Sequence, residues 1–386
     1  MPNLSGIWTV TQQMQAKGAS TWPALPGAPT IGTASALGPT SASVPFTAPS
    51  CTGYPATITG YTATSTPGCF TSTGASSPLT ITGLTSGSTY TFKVKATNGT
   101  GTGPCSAASN SVTTPVPGSQ SYTTPGTYTW VAPACVSRVS IVAVGAGGNG
   151  GSGGKGGGGG GLAYRNNVTV TPGGSYTVVV GNSSSSSTSC FAGTSSFNGS
   201  APAATGGKNG RVGGSCFCGG YPCGSYTGGG TGGKGSPQAY GGGGGAAGYS
   251  GNGGAAGTSG STSGKAGSGG GGGGGVTGVG YCICGPRQGG GSGGGGVGIF
   301  GQGTSGASVN QNPYGSCTQP GGRGGSCGAN GANGGENSNA EPCKGIGGAY
   351  GGGAGGGCNK RGAYGAVRIV WPGCSRTFPS TCVGAP

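Results

Sequence analysis

An all-β chain with little or no α-helix is what the sequence predicts: a strand sandwich, then a glycine-rich domain framed by strands. Three observations carry that expectation. Residues 28 to about 115 hold short alternating apolar-polar runs parted by Gly, Pro and Ser turns. All but 16 of the 104 glycines lie at or beyond Gly145. That glycine-dense stretch closes on Ala366-Val-Arg-Ile-Val-Trp371, a strand-like run that a flexible polymer has no reason to end in.

Composition limits what the chain can do. Only 31% of the 386 residues are hydrophobic and 5% are charged, so no single large apolar core can be built. Ordering a glycine costs ~0.5–1 kcal/mol more than ordering an alanine, and something regular must offset that cost. The formal charge of +15 comes from 17 Lys and Arg against two acids, Glu336 and Glu341, with no His and no Asp. Ser-His-Asp and Cys-His arrangements and imidazole metal sites are therefore excluded. The sequence assigns no catalytic, cofactor-binding or metal residue and reads as non-enzymatic, with no cofactor. The basic residues lie singly, Lys360-Arg361 being the only adjacent pair. Such scattered charge argues against nucleic acid as partner and suits an acidic cell-surface polymer. No apolar run approaches 18 residues, so no membrane insertion is expected.

Residues 1–24 read as a docking segment, too short to fold alone, with Ile7, Trp8 and Trp22 as its aromatic and apolar anchors. Leu25-Pro-Gly-Ala-Pro29 is a stiff linker into a sandwich spanning 25–117. Its candidate strands are 41–46, 58–64, 79–81, 90–97 and 111–114.

The glycine-rich domain spans 118–386, with a β base at 120–181 and 364–371 and a projection at 182–363. In the base, Val136–Val144 is a strong β run, and Val168–Val180 reads as a hairpin on Pro172-Gly173-Gly174; with 366–371 these make one sheet. Glycine runs such as 156–161, 241–245, 269–275 and 293–296 suit the polyglycine II helix. A run of six spans about 19 Å at ~3.1 Å per residue. That helix bonds only to its neighbours, and glycine alone lets backbones approach closely enough. Bundled segments then gain about one net bond per residue, each worth ~1 kcal/mol.

Sixteen cysteines argue for an oxidising final environment, while Met1–Trp8 shows no secretory signal. The two agree for a protein made in a cytosol and released by lysis. Cys216-Phe-Cys218 and Cys282-Ile-Cys284 lack the Cys-x-x-Cys spacing of zinc knuckles. Disulfides are the expectation for Cys216, Cys218, Cys223, Cys282, Cys284, Cys317, Cys327, Cys343, Cys358, Cys374 and Cys382, with connectivity open. The contact surface is expected in loops 215–227, 281–288 and 311–320, where Phe217, Tyr221, Tyr226, Tyr281, Arg287 and Tyr314 offer rigid aromatic faces and charge.

Two resemblances sharpen this. Ile58-Thr-Gly-Tyr61 and Leu84-Thr-Ser-Gly-Ser-Thr-Tyr90-Thr-Phe92-Lys-Val94-Lys-Ala96 resemble strand C and the E–F corner of fibronectin type III domains. The resemblance implies a Tyr90 hydroxyl bonded to upstream backbone and a core of Tyr90, Phe92, Val94 and Ala96. The family's strand C tryptophan is missing, and Tyr61 is expected to do its packing. Cys51 and Cys69 are additions to that pattern, expected to tie one end of the sandwich.

The framing segments Tyr122–Pro133, Val142–Gly148, Val170–Gly173, Tyr176–Gly181 and Gly365–Trp371 resemble glycine-rich domains of bacteriophage tail and fibre proteins, and the runs between them resemble polyglycine-sandwich adhesins. The resemblance implies a virion-surface protein for host attachment, made in the host cytoplasm. Its expected partners are other virion proteins, through the N-terminal segment, and a host surface polysaccharide or outer-membrane protein; a homotrimer is among the arrangements open to it. A capsid or tail decoration role without a receptor, and a cellular extracellular glycine-rich protein, are the competing readings.

Overall fold

In the computed structural model the described residues are 9–18, 22–151, 155–183, 192–199, 201–209, 220–223, 225–238, 241–258, 263–277, 291–310, 321–325, 332–334, 346–355, 361–373 and 376–380. The chain divides into two compact units, Met1–Pro117 and Gly118–Pro386.

The first unit opens with helix α1 (Val10–Gly18), which the sequence analysis does not anticipate. Its start is fixed by a capping box. The Thr9 hydroxyl accepts from the Gln12 N–H at 3.2 Å, and the Gln12 side-chain oxygen accepts from the Thr9 N–H at 2.9 Å.

The strands that follow are β1 (Thr30–Ile31), β2 (Ser35–Gly38), β3 (Ser41–Val44), β4 (Phe46–Thr47), β5 (Ile58–Thr66), β6 (Thr71–Gly74), β7 (Leu79–Thr82), β8 (Thr89–Asn98) and β9 (Val112–Thr113). They form sheets of order β2-β3-β7 and β6-β5-β8-β9, with β1 and β4 as a separate pair. Alternation puts Tyr90, Phe92, Val94 and Ala96 of β8 inward against Val44, Ile81 and Leu84, all buried. Tyr61 joins this core, its ring 4.6 Å from that of Phe46. The Thr85 N–H donates to the Tyr90 hydroxyl at 2.9 Å, closing the tyrosine corner.

The second unit contains β10 (Gly118–Tyr122), β11 (Gly126–Val131), β12 (Arg138–Val144), β13 (Leu162–Thr169), β14 (Ser175–Val180), β15 (Ser195–Phe197), β16 (Ala203–Ala204), β17 (Pro222–Cys223), β18 (Gly228–Gly230) and β19 (Ala366–Trp371). The base is two sheets, β10-β19-β12-β13-β18 and β11-β14-β15-β16-β17, where one sheet is expected from sequence. The expected hairpin is also corrected. β13 pairs with β12 and β18, whereas β14 pairs with β11 and β15. The turn at 171–174 therefore carries the chain between sheets. Alternating residues on either side of a turn show that strands exist, and their pairing is set by which sheet buries them.

Between the sheets lie Trp130, Val139, Ile141, Val178, Phe197, Val367 and Ile369. The opposite face of β12 and β19 is covered as well: Val142, Val144, Ala366 and Val370 pack with Leu162, Ala246, Tyr249, Val297 and Ile299. Burial on both faces explains the unbroken apolar run Ile141–Val144 of β12.

The glycine segments bond with a period of three. In 156–161, Gly156 and Gly159 donate to Ser236 and Gly233; Gly157 and Gly160 donate to Ala354 and Gly351; Gly158 and Gly161 donate to Lys208 and Thr205. Three neighbouring segments thus receive alternate thirds of one run. The 243–248 segment repeats the pattern: Gly243 and Ala246 donate to Ser292 and Gly295, Gly244 and Ala247 to Gly157 and Gly160, Gly245 and Gly248 to Gly254 and Gly251. This is the bonding of a bundle of helices with three residues per turn, each saturated by its neighbours.

Close backbone approach requires glycine here. A Cβ built on Gly159 would sit under 3.0 Å from the Gly245 carbonyl, and one on Gly147 would meet the Gly352 carbonyl as closely. Alanine tolerates no such contact without backbone movement.

Candidate interaction surfaces

The residues expected as docking anchors divide. Ile7 and Trp8 lie outside the described residues, while Trp22 is partly buried and its N–H donates to the Ala16 carbonyl at 3.1 Å. Helix α1 presents Val10 and Met14, one turn apart and 70% and 71% exposed. Only Ala16 of the helix is buried. This one-turn apolar pair is the part of the N-terminal surface that sequence reasoning missed. The Thr9-x-x-Gln12 capping spacing was the signal that could have found it.

Of the expected contact residues, Tyr221 and Tyr226 are described, and both are about half exposed, flanking β17 and preceding β18. The backbone of Tyr221 is held on both sides by Thr205, whose hydroxyl accepts from the Tyr221 N–H at 2.8 Å and whose N–H donates to the Tyr221 carbonyl at 2.9 Å. An aromatic ring on a fixed backbone loses little entropy on binding. Phe217, Tyr281, Arg287 and Tyr314 lie outside the described residues.

The cysteine expectations need correction where the structure reaches them. Cys51 and Cys69 are exposed, unbridged thiols. Cys69 follows the Thr66 end of β5, whereas Cys51 lies near its Ile58 end, where the Asn98 amide donates to the Thr52 carbonyl at 3.0 Å. Nine strand residues span roughly 30 Å, far beyond the ~7 Å Cα separation a disulfide can bridge. Cys223 is likewise an unbridged thiol, paired in register with Ala203, and burial pushes its pKa up. Cys105 and Cys135 are exposed free thiols. Cys216, Cys218, Cys282, Cys284, Cys317, Cys327, Cys343, Cys358, Cys374 and Cys382 lie outside the described residues. Among the described residues, no three His, Cys, Asp or Glu side chains gather as a metal site. No helix among them is long and apolar enough to cross a membrane.

Two positions gain weight only from the fold. Asn98 is buried at the base of the β8 turn: its amide donates to the Ala24, Thr52 and Pro55 carbonyls at 2.9, 3.0 and 3.2 Å, and its oxygen accepts from the Thr100 and Gly101 N–H groups at 2.9 and 3.1 Å. Arg368, mid-strand in β19, is 1% exposed, with its guanidinium carbon 4.1 Å from the Phe300 ring centroid. It donates to the Ser119 hydroxyl at 3.3 Å and the Ile299 carbonyl at 3.5 Å. Burial lowers its pKa to about 10. A separate cavity, also unread from sequence, is lined by Ser183, Ile346, Tyr350, Arg361 and Tyr364.

The first unit is a domain of the fibronectin type III class by its 3+4 strand order and its tyrosine corner. Residues 27–112 match the family model described as Fibronectin type III domain. Among solved structures, a titin fragment of three domains is 20% identical, covering 24% of this chain and 32% of that chain at a TM-score of 0.21. Titin kinase with its flanking domains is 15% identical, covering 41% and 30% at a TM-score of 0.22. The FN1–FN3 domains of chicken CNTN1 are 17% identical, covering 52% and 68% at a TM-score of 0.21. The chain thus spans less than a third of the length of both titin structures. No curated protein matches the chain.

Proposed function

We propose that the protein is a non-enzymatic structural component of a bacteriophage virion, a tail-fibre or tail-tip part that attaches to the host through loops on its glycine-rich core. The observation that carries this reading is the three-neighbour bonding of the glycine segments, which makes a stiff scaffold with little side-chain mass inside. Binding residues are then left to the connections, where exposed Tyr221 and Tyr226 stand. In this reading residues 1–24 dock into another virion protein, the fibronectin type III domain spaces, and the basic surface meets a host polysaccharide or outer-membrane protein. The charge of +15 favours acidic host polymers.

Immunogold electron microscopy of particles tests it. Label at fibre tips, together with reduced particle adsorption when purified protein is added to host cells, is the expected result. Label spread over the capsid lattice overturns the attachment role, and absence from particles overturns the virion role.

A further inference from the structure

A cavity of about 310 Å³ in the glycine-rich unit is lined by Ser183, Ile346, Tyr350, Arg361, Ala363 and Tyr364. That is the small end of the ~300–1,000 Å³ usual for small-molecule sites. Its chemistry is asymmetric. Ser183 is fully buried and its hydroxyl has no hydrogen-bond partner, so a buried polar atom is held ready for a ligand. Tyr350 is half-buried against the apolar cluster on the sheet, while Tyr364 and Ile346 are 41% and 52% exposed. These give the cavity flat apolar walls. Arg361 is exposed at the same site, and the described residues contain no carboxylate side chain with which it can pair.

The frame is fixed by backbone bonds. The Gly347 N–H donates to the Arg361 carbonyl at 3.1 Å, the Gly362 N–H to the Asn149 side-chain oxygen at 3.0 Å, and the Ala363 N–H to the Gly352 carbonyl at 2.8 Å. Arg361 and Tyr364 therefore flank two residues tied to different neighbours. A site held this way is preorganised.

We propose that this cavity binds an anionic sugar, a ring bearing a carboxylate or a phosphate. Arg361 takes the acid group through its planar donor fork. Tyr350 and Tyr364 pack against the ring's C–H face, and Ser183 bonds a sugar hydroxyl. The inference goes beyond the virion reading and stands without it, because it rests on the cavity alone.

Titration calorimetry of the full chain with glucuronic acid, glucose 6-phosphate and glucose is the test. Saturable binding of at least one of the two acids is expected, with glucose about tenfold weaker or more. The acid that binds tells a carboxylated from a phosphorylated source. Arg361→Gln, at an exposed side chain, is expected to weaken the acid about tenfold and leave glucose unchanged. Ser183→Ala is expected to weaken the acid and the neutral sugar alike. No saturable heat from either acid, or an Arg361→Gln protein that binds the acid as before, overturns the proposal. Sugar binding by a protein absent from particles would leave this inference standing and remove the proposed function; label at fibre tips with no sugar bound would do the reverse.

Discussion

Asn98 and Tyr249 show how much one buried polar side chain can hold. Asn98 ties the segment at Ala24, Thr52 and Pro55 to the end of β8. Replacing it with alanine leaves the Thr52 and Pro55 carbonyls and the Thr100 N–H without that partner, while the Ala24 carbonyl still accepts from the Tyr54 N–H and the Gly101 N–H still donates to the Asn98 carbonyl, so Asn98→Ala should cost about 2–4 kcal/mol, read from denaturant midpoints. Tyr249 is fully buried; its hydroxyl donates to the Gly298 carbonyl and accepts from the Gly301 N–H, each at 3.2 Å. Burial raises its pKa well above the ordinary 10.0. The unfolded chain releases that proton from about pH 10, while the folded chain keeps it. The stability Tyr249 contributes is thus complete below pH 10 and lost as pH rises beyond it. Arg368 acts in the opposite sense: its folded pKa of about 10 lies below the ordinary 12.5, so its contribution to stability rises with pH across that window. Tyr249→Phe should cost about 1–2 kcal/mol at neutral pH and fall less steeply than wild type above pH 10, measured by denaturation at both conditions. Equal slopes would show that the phenol titrates normally.

At the scale of elements, glycine runs and strands were legible to different degrees. The β12 run was readable from the continuous apolar residues Ile141–Val144 before Gly145, and the closing β19 from the Val, Ile and Trp residues around Arg368, both β-branched runs that suit a buried sheet. The Leu84–Ala96 corner was readable because its alternation and Tyr90 fix both faces of β8. Pairing was not readable. Val168–Val180 looks like a hairpin, yet its two strands serve different sheets, since alternation shows which face is buried but not against what. Arg368 was hidden for a related reason: a charged residue in β19 reads as facing solvent until Phe300 and Ile299 are placed over it. Helix α1 escaped because its apolar side chains are few and exposed. The glycine bundle makes a direct prediction. Gly159→Ala must drive a methyl group into the Gly245 carbonyl and should cost about 3 kcal/mol or more in thermal stability. Gly173→Asn should stay within about 0.5 kcal/mol, since Gly173 has φ +75, nothing lies within 4 Å of its added Cβ, and asparagine accepts that conformation.

For the whole molecule, the two units have cores that share no residue. Calorimetry should resolve two transitions, with Asn98→Ala shifting only the first unit's and Gly159→Ala only the second's. A single transition moved by both would show one cooperative body. Hydrogen exchange should protect the amides of 156–161 and 243–248 as strongly as those of β12, because each already has a partner in another segment. Exchange there at the rate of a free polymer would remove the scaffold on which the proposed attachment role depends. On the proposed docking role, deleting residues 1–24 should abolish incorporation into particles and leave the glycine-rich unit's transition in place; a truncated chain still found in particles would count against that proposal.

The alternation of bonding partners along 156–161 also restricts how such a run can evolve in length. Adding or removing one glycine turns every later amide by a third of a revolution and aims it at the wrong neighbour. Size changes in the core should therefore come in triplets, while single-residue insertions and deletions accumulate in the connecting loops.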